Sequence, residues 1–221
     1  MRRKETLVCG EVYHIFTKSI ADYRVFSNKT EFLRMRDIIR YYQIENISPK
    51  FSQFLQSERE RGNLVSFSSL AQNKEKLVQI IAYCLMPTHI HLILKQLKEK
   101  GISLFMGNLL NSYSRFFNLK HKRKGPLWEG KFKNKLVNTE EQLLHLTRYI
   151  HLNPTSAGLV KNPEEWLFSS YREYIGLANK EEVICDKDEF FDLSPETYRE
   201  FVEDRIAYQR ELEKIKSLLL E

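Results

Sequence analysis

Nowhere in the 221 residues do apolar side chains approach eighteen in a row, so no membrane-spanning helix is expected. The basic start, Met1-Arg2-Arg3-Lys4, is followed by only a short apolar run, broken at Glu11 and His14, and no signal peptide is expected. Cysteine is scarce. Cys9, Cys84 and Cys185 stand far apart with no CxxC pair, which argues against a disulfide framework or a zinc–cysteine site and suits a reducing cytosol. No P-loop, GxGxxG or HExxH motif is present, and there are no internal repeats or low-complexity tracts. A histidine-triad hydrolase needs a third histidine where Ile93 stands, and no separated pair of Hx(T/S) tripeptides supports a two-histidine phosphoesterase.

The composition does hold a core: 42% of residues are hydrophobic and 12% aromatic, which excludes wholesale disorder. The net charge is +6, and all of that excess lies in one stretch. Between Arg115 and Lys135 there are eight basic residues and one acid, whereas the rest of the chain has 27 basic and 28 acidic residues. Aromatic side chains (Phe116, Phe117, Trp128, Phe132) interleave with these charges, a pattern that favours nucleic acid over a merely solvated basic face.

Hydrophobic periodicity predicts a strand over 12–17, then a helix opened by Asn28 or Thr30 and running to about Glu45. A polar insertion over 46–75 follows, with one short helix near 51–60. The near-continuous apolar run 78–85 predicts a strand buried on both faces, and 89–95 a second strand after the turn at Met86-Pro87-Thr88. Ser103 is the expected cap of a helix to about His121, and a fourth strand is expected over 131–138. Thr139-Glu140-Glu141-Gln142 reads as a capping box for a helix that should stop near Leu152, because the residue before Pro154 is disfavoured in helical geometry. The order β-α-β-β-α-β matches a ferredoxin-like split βαβ unit. The expected architecture is α+β: an antiparallel sheet with helices on one face, a catalytic domain over 1–155, and a helical extension over 156–221.

Two features could carry chemistry. His89 and His91, two apart on a strand, share one face and can hold one divalent metal, although the spacing alone also suits two surface histidines. On the capped helix, His145, Tyr149 and Asn153 recur every four residues and share a face. A tyrosine phenol, with an ordinary pKa of about 10, is a weak nucleophile, so a nearby cation that activates its target is the natural complement. Asn153 could supply a neutral oxygen ligand. Tyr113 is the rival nucleophile, but its helical match to Leu109, Leu110, Phe116 and Phe117 marks it as core.

Four segments in order, Tyr83-Cys84-Leu85-Met86-Pro87-Thr88-His89-Ile90-His91-Leu92, Lys124-Gly125-Pro126-Leu127-Trp128-Glu129-Gly130-Lys131-Phe132, Arg148-Tyr149-Ile150-His151-Leu152-Asn153-Pro154-Thr155-Ser156-Ala157-Gly158 and Trp166-Leu167-Phe168-Ser169-Ser170-Tyr171-Arg172-Glu173-Tyr174, resemble the motifs of the single-tyrosine HUH transposases, and of their REP-associated subgroup in particular. That resemblance covers about residues 9–175. It implies a ferredoxin-like or RRM-like fold, with His89, His91 and Asn153 holding Mg²⁺ or Mn²⁺. Tyr149 would attack a DNA phosphate, leaving a 5′-phosphotyrosine and a free 3′-OH. Arg115, Lys120, Lys122, Arg123, Lys124, Lys131 and Lys133 would contact DNA, with Trp128 stacking a base. Single-stranded DNA with hairpin-forming repeats is the implied partner, a homodimer the implied assembly, and the cytoplasm, at the nucleoid, the implied location. Two departures stand out: Asn153 replaces a glutamine common in relatives, and Lys131 replaces an arginine, losing its bidentate fork. The alternatives are a domesticated, non-catalytic hairpin-binding protein, and a replication initiator or relaxase, which would normally carry a further module.

Overall fold

The computed structural model describes residues 5–62 and 67–211. Its sheet is built from β1 (Val12–Lys18), β2 (Val78–Met86), β3 (His89–Gln96) and β4 (Lys133–Leu136), in the order β2-β3-β1-β4 with every pair antiparallel. Between them run α1 (Lys29–Tyr42), α2 (Phe51–Glu60), α3 (Phe67–Ala71), α4 (Gly101–Lys120) and α5 (Glu140–Ser156). This is the expected α+β ferredoxin-like arrangement. The insertion is pinched off at its neck, where the Glu45 amide donates to the Glu75 carbonyl and the Leu77 amide to the Gln43 carbonyl.

Strand alternation sorts the core into two layers. Tyr13, Ile15, Ile90, Leu92 and Leu94 point to α1 and α4, whose Met35, Ile38, Ile39, Phe105 and Leu109 complete the larger cluster. Ile81, Ala82, Cys84, Met86 and Ile93 point the other way, against Leu143, Ile150 and Leu152 of α5. Helices therefore cover both faces, not one. The apolar run of β2 explains this: every residue from 78 to 86 is buried, which a sheet with one wet face could not achieve.

Three local expectations fail for identifiable reasons. Ser103 does not cap α4. The helix starts three residues earlier, after Lys100 in a left-handed conformation (φ 59°), and the Gln96 side-chain oxygen accepts from the Ile102 amide instead. The early start rests on Gly101, where a Cβ would lie 2.3 Å from the Leu77 carbonyl oxygen. Helix α5 does not stop before Pro154 but runs through it to Ser156. Proline's missing amide costs only one bond near a helix end, and the turn closes beyond it, with the Ala157 amide on the Asn153 carbonyl and the Leu159 amide on the Pro154 carbonyl. The fourth strand is shorter than expected, Lys133–Leu136, and Trp128 before it forms only an isolated bridge to Ser19.

The segment after α5 is less helical than expected. Up to residue 194 it contributes two 3₁₀ turns at 163–165 and 180–182 and the four-residue α6 (Tyr171–Tyr174); only then does α7 (Pro195–Glu203) begin, capped by Ser194. It packs on the sheet rather than apart from it. The Leu85 amide donates to the Phe168 carbonyl, the Ser170 amide to the Tyr83 carbonyl, and Cys84 bridges Ser169, so this segment lines the outer edge of β2. The expected helical tail from 212 onward lies outside the described residues.

Candidate active site

On the α5 face of the sheet, directly opposed residues on neighbouring strands stand in rows. Cys84, His91, Phe16 and Lys133 form one row; Met86, His89 and Lys18 a second; Ile93, His14 and Lys135 a third. The two sequence-predicted histidines thus sit mid-sheet, flanked by lysines. Helix α5 crosses this face, and its four-residue spacing turns Tyr149 and Asn153 toward the histidines. A single cleft of about 320 Å³ is lined by His89, His91, Tyr149 and Asn153 together, with Phe16, Lys18, Ser156 and Gln209 completing the wall. The Tyr149 ring stands edge-on to His91 at 6.1 Å between centroids and is 40% exposed.

Electrostatics keep the imidazoles neutral. Burial, reinforced by Lys18, lowers the His89 pKa to about 4 against an opposing pull from Asp22. Burial drives His91 well below its ordinary value, with His14, His89 and Lys18 adding to the effect. Each ring is held by its Nδ1: that of His91 lies 2.9 Å from His14 Nε2, and that of His89 lies 3.0 Å from Thr88 Oγ1. With each Nδ1 carrying the proton and donating it, both Nε2 lone pairs are free to bind. His14 is itself kept neutral, its pKa lowered to about 4 by burial and then Lys135.

This donor set suits a divalent cation. Two neutral imidazoles and the side-chain amide of Asn153, whose buried nitrogen has no hydrogen-bond partner among the described residues, converge on one cleft. The oxygen and nitrogen of such an amide are interchangeable in placement, so the unmatched atom suits an oxygen donor turned to a metal. Among the described residues no group of three or more His, Cys, Asp or Glu side chains is arranged to hold a metal. An ion here would therefore rely on the amide, substrate oxygens and water beyond the two histidines.

The remaining predicted residues divide. Tyr113 is fully buried and donates to the Val25 carbonyl at 2.5 Å, a core position as expected. Trp128 does not present a ring to a base: it is 7% exposed, packed 6.1 Å from the Tyr113 ring. Lys120 is engaged with the buried Glu31 carboxylate at 2.8 Å; that group, despite the burial that opposes ionisation, is held at about 2 by Lys120, the Ser27 amide and His121. Arg123 is bonded to Asn118 and the Pro126 carbonyl, bracing its own loop. Arg115, Lys122, Lys124, Lys131 and Lys133 remain exposed. His145 is exposed, bonded to Arg148 at 2.8 Å, and does not line the cleft. Sequence reasoning missed His14, Thr88, Lys18 and Gln209. Only strand register could have found the first and third, and only tertiary packing the last.

Residues 53–153 match the sequence model of the family described as Transposase IS200 like. A Haemophilus influenzae protein named for the REP-associated tyrosine transposases is 26% identical over 104 residues, which cover 42% of this chain and 58% of that relative's length. A solved structure of a REP-associated tyrosine transposase bound to a REP hairpin shares the fold, with a TM-score of 0.52 at 16% identity over 88% of this chain and 96% of the other. No helix among the described residues is long and apolar enough to cross a membrane.

Proposed function

We propose that this chain, which carries the IS200-like transposase match over residues 53–153, cleaves and rejoins single-stranded DNA through Tyr149, with a divalent cation held by His89, His91 and Asn153. The observation that carries the reading is the cleft itself, where a strand bearing two neutral imidazoles and a helix bearing a phenol and an amide meet within one chain. All four groups lie on one chain in this cleft, which supports a tyrosine that acts within its own protomer.

The chain's own residues account for most of the chemistry. Tyr149, at the mouth of the cleft, offers its oxygen to a phosphodiester; its O–P bond forms as the P–O3′ bond breaks, the phenolic proton is released, and the departing oxygen takes one up to become a 3′-OH. That hydroxyl can attack the phosphotyrosine in reverse, so rejoining needs no further energy source. Lys18 and Lys133, in the rows of His89 and His91, supply positive charge beside the scissile phosphate. A bound Mg²⁺ or Mn²⁺ would polarise a phosphate oxygen and offset developing charge. His14 and Thr88 fix the imidazole tautomers that such an ion requires. A foldback repeat is the proposed DNA partner, in keeping with the hairpin bound by the structural relative.

The test is to incubate the protein with Mn²⁺ and single-stranded oligonucleotides drawn from the sequence flanking its gene. A covalent protein–DNA adduct that disappears in Tyr149→Phe supports the reading. Tight binding with no adduct in the unaltered protein would sink it in favour of a non-catalytic hairpin binder.

A further inference from the structure

Behind the sheet, on the face away from the catalytic cleft, the insertion creates a groove of about 440 Å³ between the start of α2 and the exposed side of α4. Three cations line it (Arg34 of α1, Lys50 before α2 and Arg115 of α4), and no carboxylate does. Asp37, which acts on Arg34, is not part of the lining. Between the cations lie two side-chain amides, Asn108 and Asn111, one turn apart on α4, and next to them Phe116. The rim carries Leu119, 83% exposed at the end of the same helical stripe.

Arg34 makes this more than a basic patch. Its guanidinium lies over the rings of both Phe51 (4.4 Å) and Phe116 (5.0 Å), which fix its plane. Its buried Nε has no hydrogen-bond partner among the described residues. An aromatic-clamped guanidinium has its plane fixed in advance and is preorganised for an anion with several acceptor oxygens.

We propose that this groove is a second nucleic-acid site, taking successive backbone phosphates on Arg34, Lys50 and Arg115 and an attached base on Asn108 and Asn111. It rests on the reading of the protein as a DNA-acting one. The two amides favour a nucleotide over an acidic peptide, since carboxamides match the donor–acceptor edges of bases. The chain's connectivity also favours it. From Arg115 the exposed cations continue through Lys122, Lys124 and Lys131 to Lys133 and Lys135, which stand in the rows of His91 and His14 on the catalytic face. These cations lead in sequence from α4, behind the sheet, to the edge strand β4, so a strand gripped in the groove has a basic route toward the catalytic face.

The experiment uses the whole protein and a fluorescein-labelled single-stranded oligonucleotide of ~30 nucleotides, long enough to round the sheet edge at up to ~6 Å per nucleotide, with anisotropy measured across a salt series. Lys50 and Arg115 are both exposed, so the double variant Lys50→Gln/Arg115→Gln should keep its melting temperature. It is expected to bind about tenfold more weakly at ~0.15 M salt, with the log–log salt slope reduced by ~1.4, or ~0.7 per lost phosphate contact. Asn111→Ala is expected to weaken binding without altering the slope. An unchanged slope and affinity in the double variant would overturn the proposal, as would polyglutamate displacing the oligonucleotide from the groove. The Tyr149 adduct is scored separately on the unaltered protein. A reduced slope without an adduct sinks the catalytic reading and leaves the groove standing, whereas an adduct with an unchanged slope does the reverse.

Discussion

His14 and His91 lie on neighbouring strands and share a single hydrogen bond, Nε2 to Nδ1 at 2.9 Å, so the ring proposed as a ligand is oriented by a ring that is not one. His14 is expected to act as a positioning residue. His14→Ala should lower Mn²⁺ affinity by about 10- to 100-fold, the usual effect of losing such a partner. His14→Asn, able to accept the same bond, should recover part of it. Titration calorimetry with Mn²⁺ alone reads this out without reference to DNA, and equal losses in both variants would argue against an orienting role.

His151, whose ring does not line the cleft, offers a pH test. Its ring is fully buried between Tyr198 Oη (2.8 Å from Nδ1) and Ser170 Oγ (2.7 Å from Nε2), and burial lowers its pKa to about 3. A histidine depressed in the folded state but near ~6.5 when unfolded binds more protons unfolded across that interval. Its contribution is fully present above ~6.5 and is lost as pH falls toward the folded value. The metal-free protein should therefore lose on the order of 3 kcal/mol between pH 6.5 and 4 from this group, with His14 and His89 adding to the trend. His151→Gln should flatten the slope of urea midpoint against pH; an unchanged slope would show that the ring does not titrate on unfolding.

Because Trp128 is core, Trp128→Ala should cost ~3–5 kcal/mol in stability. A base-stacking tryptophan would instead lose DNA affinity at constant stability. Denaturant melts and oligonucleotide binding on the same variant separate the two.

Gly101→Ala tests the start of α4. The new Cβ meets backbone, the Leu77 carbonyl oxygen at 2.3 Å, rather than a side chain that can swing away. A loss of ~1–3 kcal/mol is expected despite alanine's better helix propensity. A stabilised variant would mean that the helix start relaxes freely.

Periodicity and spacing made much of this legible. Alternation placed His89 and His91 on one face, the four-residue step placed Tyr149 with Asn153, and the apolar run of β2 announced burial on both sides. What stayed hidden was non-local. The His14–His91 bond depends on register between strands some 77 residues apart in sequence, which no local pattern encodes. Trp128 sat in a basic, aromatic stretch whose composition suits DNA, yet its neighbour in space is Tyr113. Pro154 looked like a stop because the rule for the preceding residue is a preference, and packing of Leu152 and Thr155 in the core overrides it. Ser103 looked like a cap because serine usually is one, but the Gln96 side chain reached the helix first.

The strand β2 lies at the rim of the sheet, and the stretch around Phe168–Ser170 binds along it like a clasp. A chain cut at residue 155 would bare unsatisfied amides and carbonyls on a mostly apolar nine-residue ribbon, the sort of template on which other molecules add strand by strand. The later third of the sequence thus covers a sheet edge that a cut after 155 would lay open.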